Sequence, residues 1–251
     1  MSISFIRTRR FVLQQLAPEK REALSQCLYS LHSRIFSGVP YEAFRQYVVF
    51  SAAWRTWLYV RQTSAGEWVG YTALHAFRKT LQGKPVLIFR MEMGSLENYR
   101  GSDLTILHVL AKMIGASLRH WRWSAYIFAS FVHPSSYALA ARYCPIVWPN
   151  RNQPTPGAYE RLLQALADDF QLAPVNPPSP RVRQVSWITR ETTPLVWDPQ
   201  RNPHVAYFLE ANPGYGQGQG LLTVIRARLP DLLLIFVRFA YVRGRRLLRS
   251  R

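Results

Sequence analysis

The chain is predicted to be α/β (α+β by some counts): a mixed, mainly antiparallel sheet with helices against it and a C-terminal extension. Three observations carry this. Strand-forming runs at Trp57–Arg61, Trp68–Leu74 and Val86–Met93 are joined by short turns. A helical stripe follows from Leu104 to Leu118, and an apolar run, Trp123–Ser130, then leads into a short helix ending at Tyr143. None of these features is strong alone; their order is the signal.

Taken in turn, the residues up to about Gly38 read as helical. Pro18-Glu19-Lys20-Arg21 opens a helix with Leu24, Cys27, Leu28, Leu31 and Ile35 spaced by three and four, and Gly38-Val39-Pro40 stops it. A second short helix is expected over Tyr41 to Val48. The first two strands turn at Ser64-Ala65-Gly66, and the second and third at Leu81-Gln82-Gly83-Lys84. Ser102 or Asp103 is placed to cap the long helix, whose apolar stripe is read as Leu104, Leu107, His108, Leu110, Ala111, Ile114 and Leu118. His133-Pro134-Ser135-Ser136 opens the next helix, with the serines as caps, and Pro145 ends it. Beyond Pro149 the reading is a loop, a helix over Tyr159 to Phe170, an extended four-proline connector from Pro174 to Pro180, a strand over Val185 to Thr189, and a glycine-rich loop from Asn212 to Gly220. The division that follows is 1–48 N-terminal helical segment, 49–149 core, 150–220 C-terminal extension and 221–251 basic amphipathic tail.

With 48% hydrophobic and 14% aromatic residues in 251, there is ample material for a core. The 32 Lys+Arg against 14 Asp+Glu give a net charge of +18, a field that attracts polyanions: nucleic acid, an anionic membrane or an acidic protein. Two cysteines, Cys27 and Cys144, make neither a disulfide framework nor a metal set, and no metal is expected. No apolar stretch is long enough to span a bilayer, and the N-terminus lacks a signal-peptide core. The expected location is cytoplasmic, peripheral to the inner face of a membrane. The tail motivates the second half of that reading. It joins the run Leu232–Val237 to a stretch with eight arginines between Leu221 and Arg251, which suits a helix lying in an anionic interface. A C-terminal helix packed on the domain fits the same composition.

The stretch from Tyr41 to Pro149 resembles the GNAT superfamily, the N-acetyltransferase-like acyltransferases. Tyr99-Arg100-Gly101-Ser102-Asp103-Leu104-Thr105 stands where that family has Arg/Gln-x-x-Gly-x-Gly/Ala at a helix start, whose backbone N–H groups hold the pyrophosphate of coenzyme A. Here the last two glycines are Asp103 and Thr105, and an aspartate there is unfavourable to phosphate. The second match is Ala129 to Tyr143, a strand, turn and short helix whose tyrosine protonates the leaving thiolate in the family; Tyr143 carries that role over. The third is the hairpin Trp57 to Leu74 with Val69-Gly70-Tyr71. The resemblance implies a mixed sheet and acyl transfer from an acyl-CoA or acyl carrier protein thioester. A basic chain with an altered pyrophosphate loop is similar to members that take long acyl chains from an acidic carrier, the autoinducer synthases and long-chain N-acyl amino acid synthases.

On this reading the donor contacts are Met93, Gly94, Arg100, Gly101, Ser102 and Thr105, with strand-end amides near Glu92 to Gly94 polarising the thioester carbonyl. Tyr143 is the acid, and the base is His133 or Glu92, the latter provided burial raises its pKa. Each has a plainer reading: an ion pair for Glu92, a hydrogen-bonded structural histidine for His133. His75 and His108 read as packing or surface residues. Gly214, Gly216, Gly218 and Gly220 lack the strand, Lys-Ser/Thr pair and βαβ context of a phosphate loop. The expected function is transfer of an acyl, specifically fatty acyl, group to an amine or similar small-molecule acceptor. The alternative is a non-catalytic basic protein that binds nucleic acid or anionic membrane on the same scaffold.

Overall fold

The computed structural model describes residues 6–100, 105–190 and 202–249. In chain order its elements are β1 (Ile6–Val12), α1 (Pro18–Ile35), β2 (Phe36–Ser37), α2 (Tyr41–Phe44, continuing in wider turns through Val49), β3 (Arg55–Thr63), β4 (Trp68–Leu81), β5 (Lys84–Ser95), α3 (Thr105–Arg119), β6 (Ser124–Phe131), α4 (Pro134–Tyr143), β7 (Val147–Trp148), α5 (Gly157–Asp169), β8 (Ala173–Pro174), β9 (Val182–Gln184), β10 (Ile188–Thr189), α6 (Pro203–Ala211), β11 (Gln219–Arg226) and α7 (Leu229–Arg249). The main sheet runs β1-β3-β4-β5-β6-β11-β9-β8, with β7 also paired to β11; β2 and β10 form a separate ladder. Every pairing is antiparallel except β5 with β6. This is the mixed, mainly antiparallel sheet that the strand runs predict.

Period-two alternation sorts side chains to the two faces. Leu87 and Phe89 of β5 pack with Leu74, Ala76 and Val109, Leu110 and Met113 of α3. Ile88 and Val86 face the other way, against Leu163, Leu166 and Ala167 of α5. Farther along that second face, Leu58, Val60, Tyr71 and Ala73 bury against Leu24, Leu28, Leu31 and Ile35 of α1. So α3, α4, α6 and α7 cover one face, and α1, α2 and α5 the other.

Four expectations change. The single strand expected over Val185 to Thr189 is instead β9 and β10, with Ser186 at positive φ between them. The N-terminal segment is not helical throughout: Ile6–Val12 is an edge strand in register with β3, from Ile6 opposite Thr63 to Val12 opposite Trp57. Its arginines Arg7, Arg9 and Arg10 are exposed, the usual protection of a sheet edge. The expected tail begins with β11, which lies in the sheet between β6 and β9 with Leu221, Leu222 and Val224 fully buried. Leu232 and Ile235 then bury α7 against α3, and Asp231 ties the helix start to β11. Its two carboxylate oxygens take Arg226 Nε and Nη2, each at 2.8 Å. Finally, the buried side of α3 is Thr105, Val109, Leu110, Met113, Ala116 and Ser117, while Ala111 and Leu118 are exposed; the stripe is rotated from the one expected.

Candidate active site

β5 and β6 pair only from Val86 opposite Ser124 to Phe89 opposite Ile127. β5 then stays on β4 as far as Ser95, while β6 stays on β11 as far as Phe131. The two strands part beyond Phe89 and Ile127. Main-chain groups of each that point toward the other have no strand to pair with there. Backbone donors in such a gap need other partners, which makes it a place for a ligand. Two cavities open at the parting, one on each face, and share Met91, Met93, Ala129, Phe131 and Ser136.

The first cavity, of 330 Å³, is apolar. Val109, Leu110 and Met113 of α3, Leu139 and Tyr143 of α4, and Ile235, Phe239 and Val242 of α7 line it. The Tyr143 ring packs on Phe239 at 4.4 Å, and Arg238 donates to the Tyr143 carbonyl at 3.0 Å, so α7 is fastened over the end of α4. Burial pushes the Cys144 thiol up to about 12, which leaves it protonated and unreactive at neutral pH.

The second cavity, of 470 Å³, carries the charges. Arg90 and Glu92 on β5 and Tyr47 after α2 line it, with Phe36, Phe128, Phe170 and Trp187 as apolar walls. His75 Nε2 and Glu92 Oε2 lie 2.7 Å apart. On the far side of the ring, His75 Nδ1 is 2.9 Å from Thr56 Oγ1, and Gln14 holds Thr56 by accepting from its backbone N–H at 2.8 Å. Burial alone would push the Glu92 carboxyl up. The His75 ring, with Arg90 and the Tyr47 hydroxyl, outweighs it, and the net is a carboxyl held below its ordinary value. The rise expected from burial is thus overturned: Glu92 is ionised at neutral pH, beside His75.

The expected residues divide accordingly. Glu92 and Met93 line the charged cavity, and Met93 and Tyr143 the apolar one. Gly94 lines neither. A Cβ there would meet Phe36 Cε2 at 2.7 Å and Ile35 Cγ2 at 3.2 Å, so this glycine lets the end of α1 pass close over β5. Arg100 donates to Ser95 O at 3.4 Å, beside the strand end. Thr105 is buried as the first residue of α3. Gly101, Ser102 and Asp103 lie outside the described residues. His133 caps α4: its Nδ1 accepts from the Ser135 backbone N–H at 3.3 Å, a job expected of the serines, and it lines neither cavity. Tyr47, His75 and Arg90 were hidden in the sequence pattern. One signal does reach two of them. Counting the hairpin back from the Gln82-Gly83 turn sets His75 opposite Arg90 and Ala73 opposite Glu92, which makes His75 a diagonal neighbour of Glu92.

No protein-family model matches the chain, and no curated protein matches it. Among solved structures it is similar to a ribosomal-protein-alanine N-acetyltransferase from Brucella melitensis biovar Abortus 2308 (12% identity, 61% of this chain and 100% of that one, TM-score 0.35). It is similar also to NAA60 of Arabidopsis thaliana in complex with acetyl-CoA (16% identity, 59% and 94%, TM-score 0.37). A third is a conserved protein of unknown function from Enterococcus faecalis V583 (13% identity, TM-score 0.35). The match there takes 56% of this chain and 32% of that chain, so this chain spans about a third of its length. At these scores the likenesses do not bear on activity.

Proposed function

We propose that the protein is an acyltransferase that moves an acyl group from a thioester to an amine across the parting of β5 and β6. The observation that carries this is the pair of unlike cavities meeting at one gap: an apolar chamber beneath α3, α4 and α7, and a charged chamber holding Glu92. The apolar chamber suits the acyl chain of the donor, and its size and lining favour a fatty acyl group. The donor is acyl-CoA or an acidic acyl carrier protein, for which the +18 chain is an electrostatic match. The acceptor amine sits in the charged chamber. Its nitrogen attacks the thioester carbonyl, backbone N–H groups at the parting hold the oxygen that becomes negative, and the C–S bond breaks. The amine proton goes to Glu92, held in place by His75, and the leaving thiolate takes a proton from Tyr143. His133, committed to its cap, has no part in this scheme.

Release of free thiol from a panel of acyl-CoA and acyl-carrier thioesters tests the reading. Release that depends on an added amine and is lost in Glu92→Gln supports it; a chain that turns over no thioester sinks it.

The outer side of α7 supports a peripheral membrane role for the same enzyme. Leu233, Leu234, Val237 and Tyr241 are exposed there, although Leu232 and Ile235 are buried on the inner side. No helix among the described residues is long and apolar enough to cross a membrane. An apolar helix face on a strongly basic chain fits an anionic lipid surface. Removing residues after Gly220 would delete most of β11 from the sheet, so the informative change is Leu233→Ser with Val237→Ser. This variant should keep the fold and lose sedimentation with anionic liposomes. Binding that is unchanged, or equal for neutral lipid, would show the face to be ordinary surface.

A further inference from the structure

The end of the sheet away from the chambers carries arginines and tryptophans in alternation. Arg78 on β4 stands opposite Leu87 on β5, and Val86 opposite Ser124 on β6, where those two strands are still paired. From Leu87 along β5 to Met93 in the chambers is about 20 Å. The guanidinium carbon of Arg78 lies 3.8 Å from the Trp54 ring centre, and that of Arg55 lies 5.7 Å from the same ring. His120, just past the end of α3, meets the Trp54 ring edge-on at 5.5 Å and the Trp123 ring at 4.5 Å. Arg122 lies 4.9 Å from the Trp121 ring, and Trp121 is 72% exposed.

Nothing acidic balances this group. Neither 53–55 nor 119–123 contains an Asp or Glu. Among the described residues no carboxylate pairs with Arg55, Arg78, Arg119 or Arg122. Other arginines of the protein do take such partners: Arg45 pairs with Glu22, and Arg226 with Asp231. Burial, together with the positive charges of Arg78 and Arg119, holds the His120 ring below its ordinary value, so it is neutral at neutral pH. Like charges gathered without counter-charge repel one another, and a bound polyanion relieves that repulsion.

We infer that this end of the sheet binds single-stranded nucleic acid. Arginines beside the rings meet phosphates, and a base stacks on the exposed face of Trp121. A duplex keeps its bases stacked on each other and offers only the phosphates. The aliphatic face suited to lipid lies on α7, at Leu233, Leu234 and Val237, whereas the rings here are set among cations. This site does not depend on the acyl-transfer reading.

The test is fluorescence anisotropy of labelled oligothymidylate and oligouridylate, each about a dozen nucleotides long, with the full chain and no acyl donor. Trp121→Ala should weaken binding about tenfold. Arg119→Glu with Arg122→Glu should weaken it by at least about tenfold and flatten its dependence on salt. Arg7→Glu with Arg9→Glu, on the edge strand β1, makes the same change in net charge and should cost roughly threefold at most. Circular dichroism checks that each variant is folded; should Trp121→Ala not fold, the two arginine pairs decide. No binding of either oligonucleotide, equal affinity for a duplex of the same length, or equal loss in both arginine pairs would overturn the proposal, the last by showing only the general field of a basic chain. Oligonucleotide binding that survives Arg119→Glu with Arg122→Glu, while sedimentation with anionic liposomes is lost, would overturn it in favour of a lipid surface.

Discussion

The two faces of the sheet differ in what they bury around the same gap. Under α3, α4 and α7 the lining is aliphatic and aromatic, and the one thiol there is held protonated. Under α1, α2 and α5 the protein buries His32, His75, Arg90 and Glu92, a costly set of groups to take out of water. The second face sacrifices stability for charges held in fixed positions; the first gains stability from a lining that is mostly hydrocarbon. Substrates of matching character are what would make both choices useful.

Four changes test that contrast, from the largest expected effect to the smallest. Glu92→Gln should lower amine-dependent thioester turnover about 10²- to 10⁴-fold, with binding of the acyl donor unchanged. Weaker donor binding would mean that the two chambers do not divide the substrates as proposed. Next comes acid sensitivity, which should belong to the charged face. Burial lowers His32 to about 4, and its ring is wrapped by Phe36, Phe44 and Trp187. The unfolded chain takes up a proton on this residue below about 6.5, whereas the folded one does so only near 4. Stability should therefore fall as pH drops through that window, by up to about 3 kcal/mol for this one residue. Urea unfolding of His32→Gln should show a shallower slope there, and an unchanged slope would refute the assignment.

On the apolar face, Ala140→Phe adds a ring to the wall of the apolar chamber. It should reduce turnover of long-chain donors about tenfold relative to short ones, a cost of one or a few methylene contacts, measured as the ratio of kcat/KM values. An equal effect on all chain lengths would place the acyl group elsewhere. The smallest effect is expected on the outside of α7, where Val237 is 61% exposed. Val237→Ser should change unfolding stability by no more than about 0.5 kcal/mol, whereas Ile235→Ala on the inner side should cost about 2–5 kcal/mol. Equal costs would mean that α7 is packed on both sides.

The hairpins were legible because their turns are written in local residues: Gly66 and Gly83 adopt positive φ, and Gln82 joins the second. The helix over Pro18–Ile35 showed itself by spacing and by proline at its start. β11 was not legible. Leu221-Leu222-Thr223-Val224-Ile225 is buried on both faces, so it has no alternation, and an unbroken apolar run beside a leucine-rich helix reads as part of that helix. β1 was masked by arginines that an edge strand tolerates and a central one would not. In the candidate site, Glu92 stood out as a carboxylate on a strand. Arg90 and Tyr47 did not, because their meaning depends on Phe170, which arrives from α5 far along the chain.

The placement of β11 has a consequence for how the protein is made. Leu221 pairs with Phe131, ninety residues earlier in the chain. On a ribosome, β6 emerges long before the strand that covers its edge. Until then one flank of the gap is a bare row of backbone groups beside apolar residues, open to pairing with any other extended chain. Contacts of this range also close slowly. Translation that stalls or stops before residue 219 would leave most of a sheet with an unguarded edge and no binding chamber. Such fragments should be aggregating species, and the finished fold appears only when β11 is delivered.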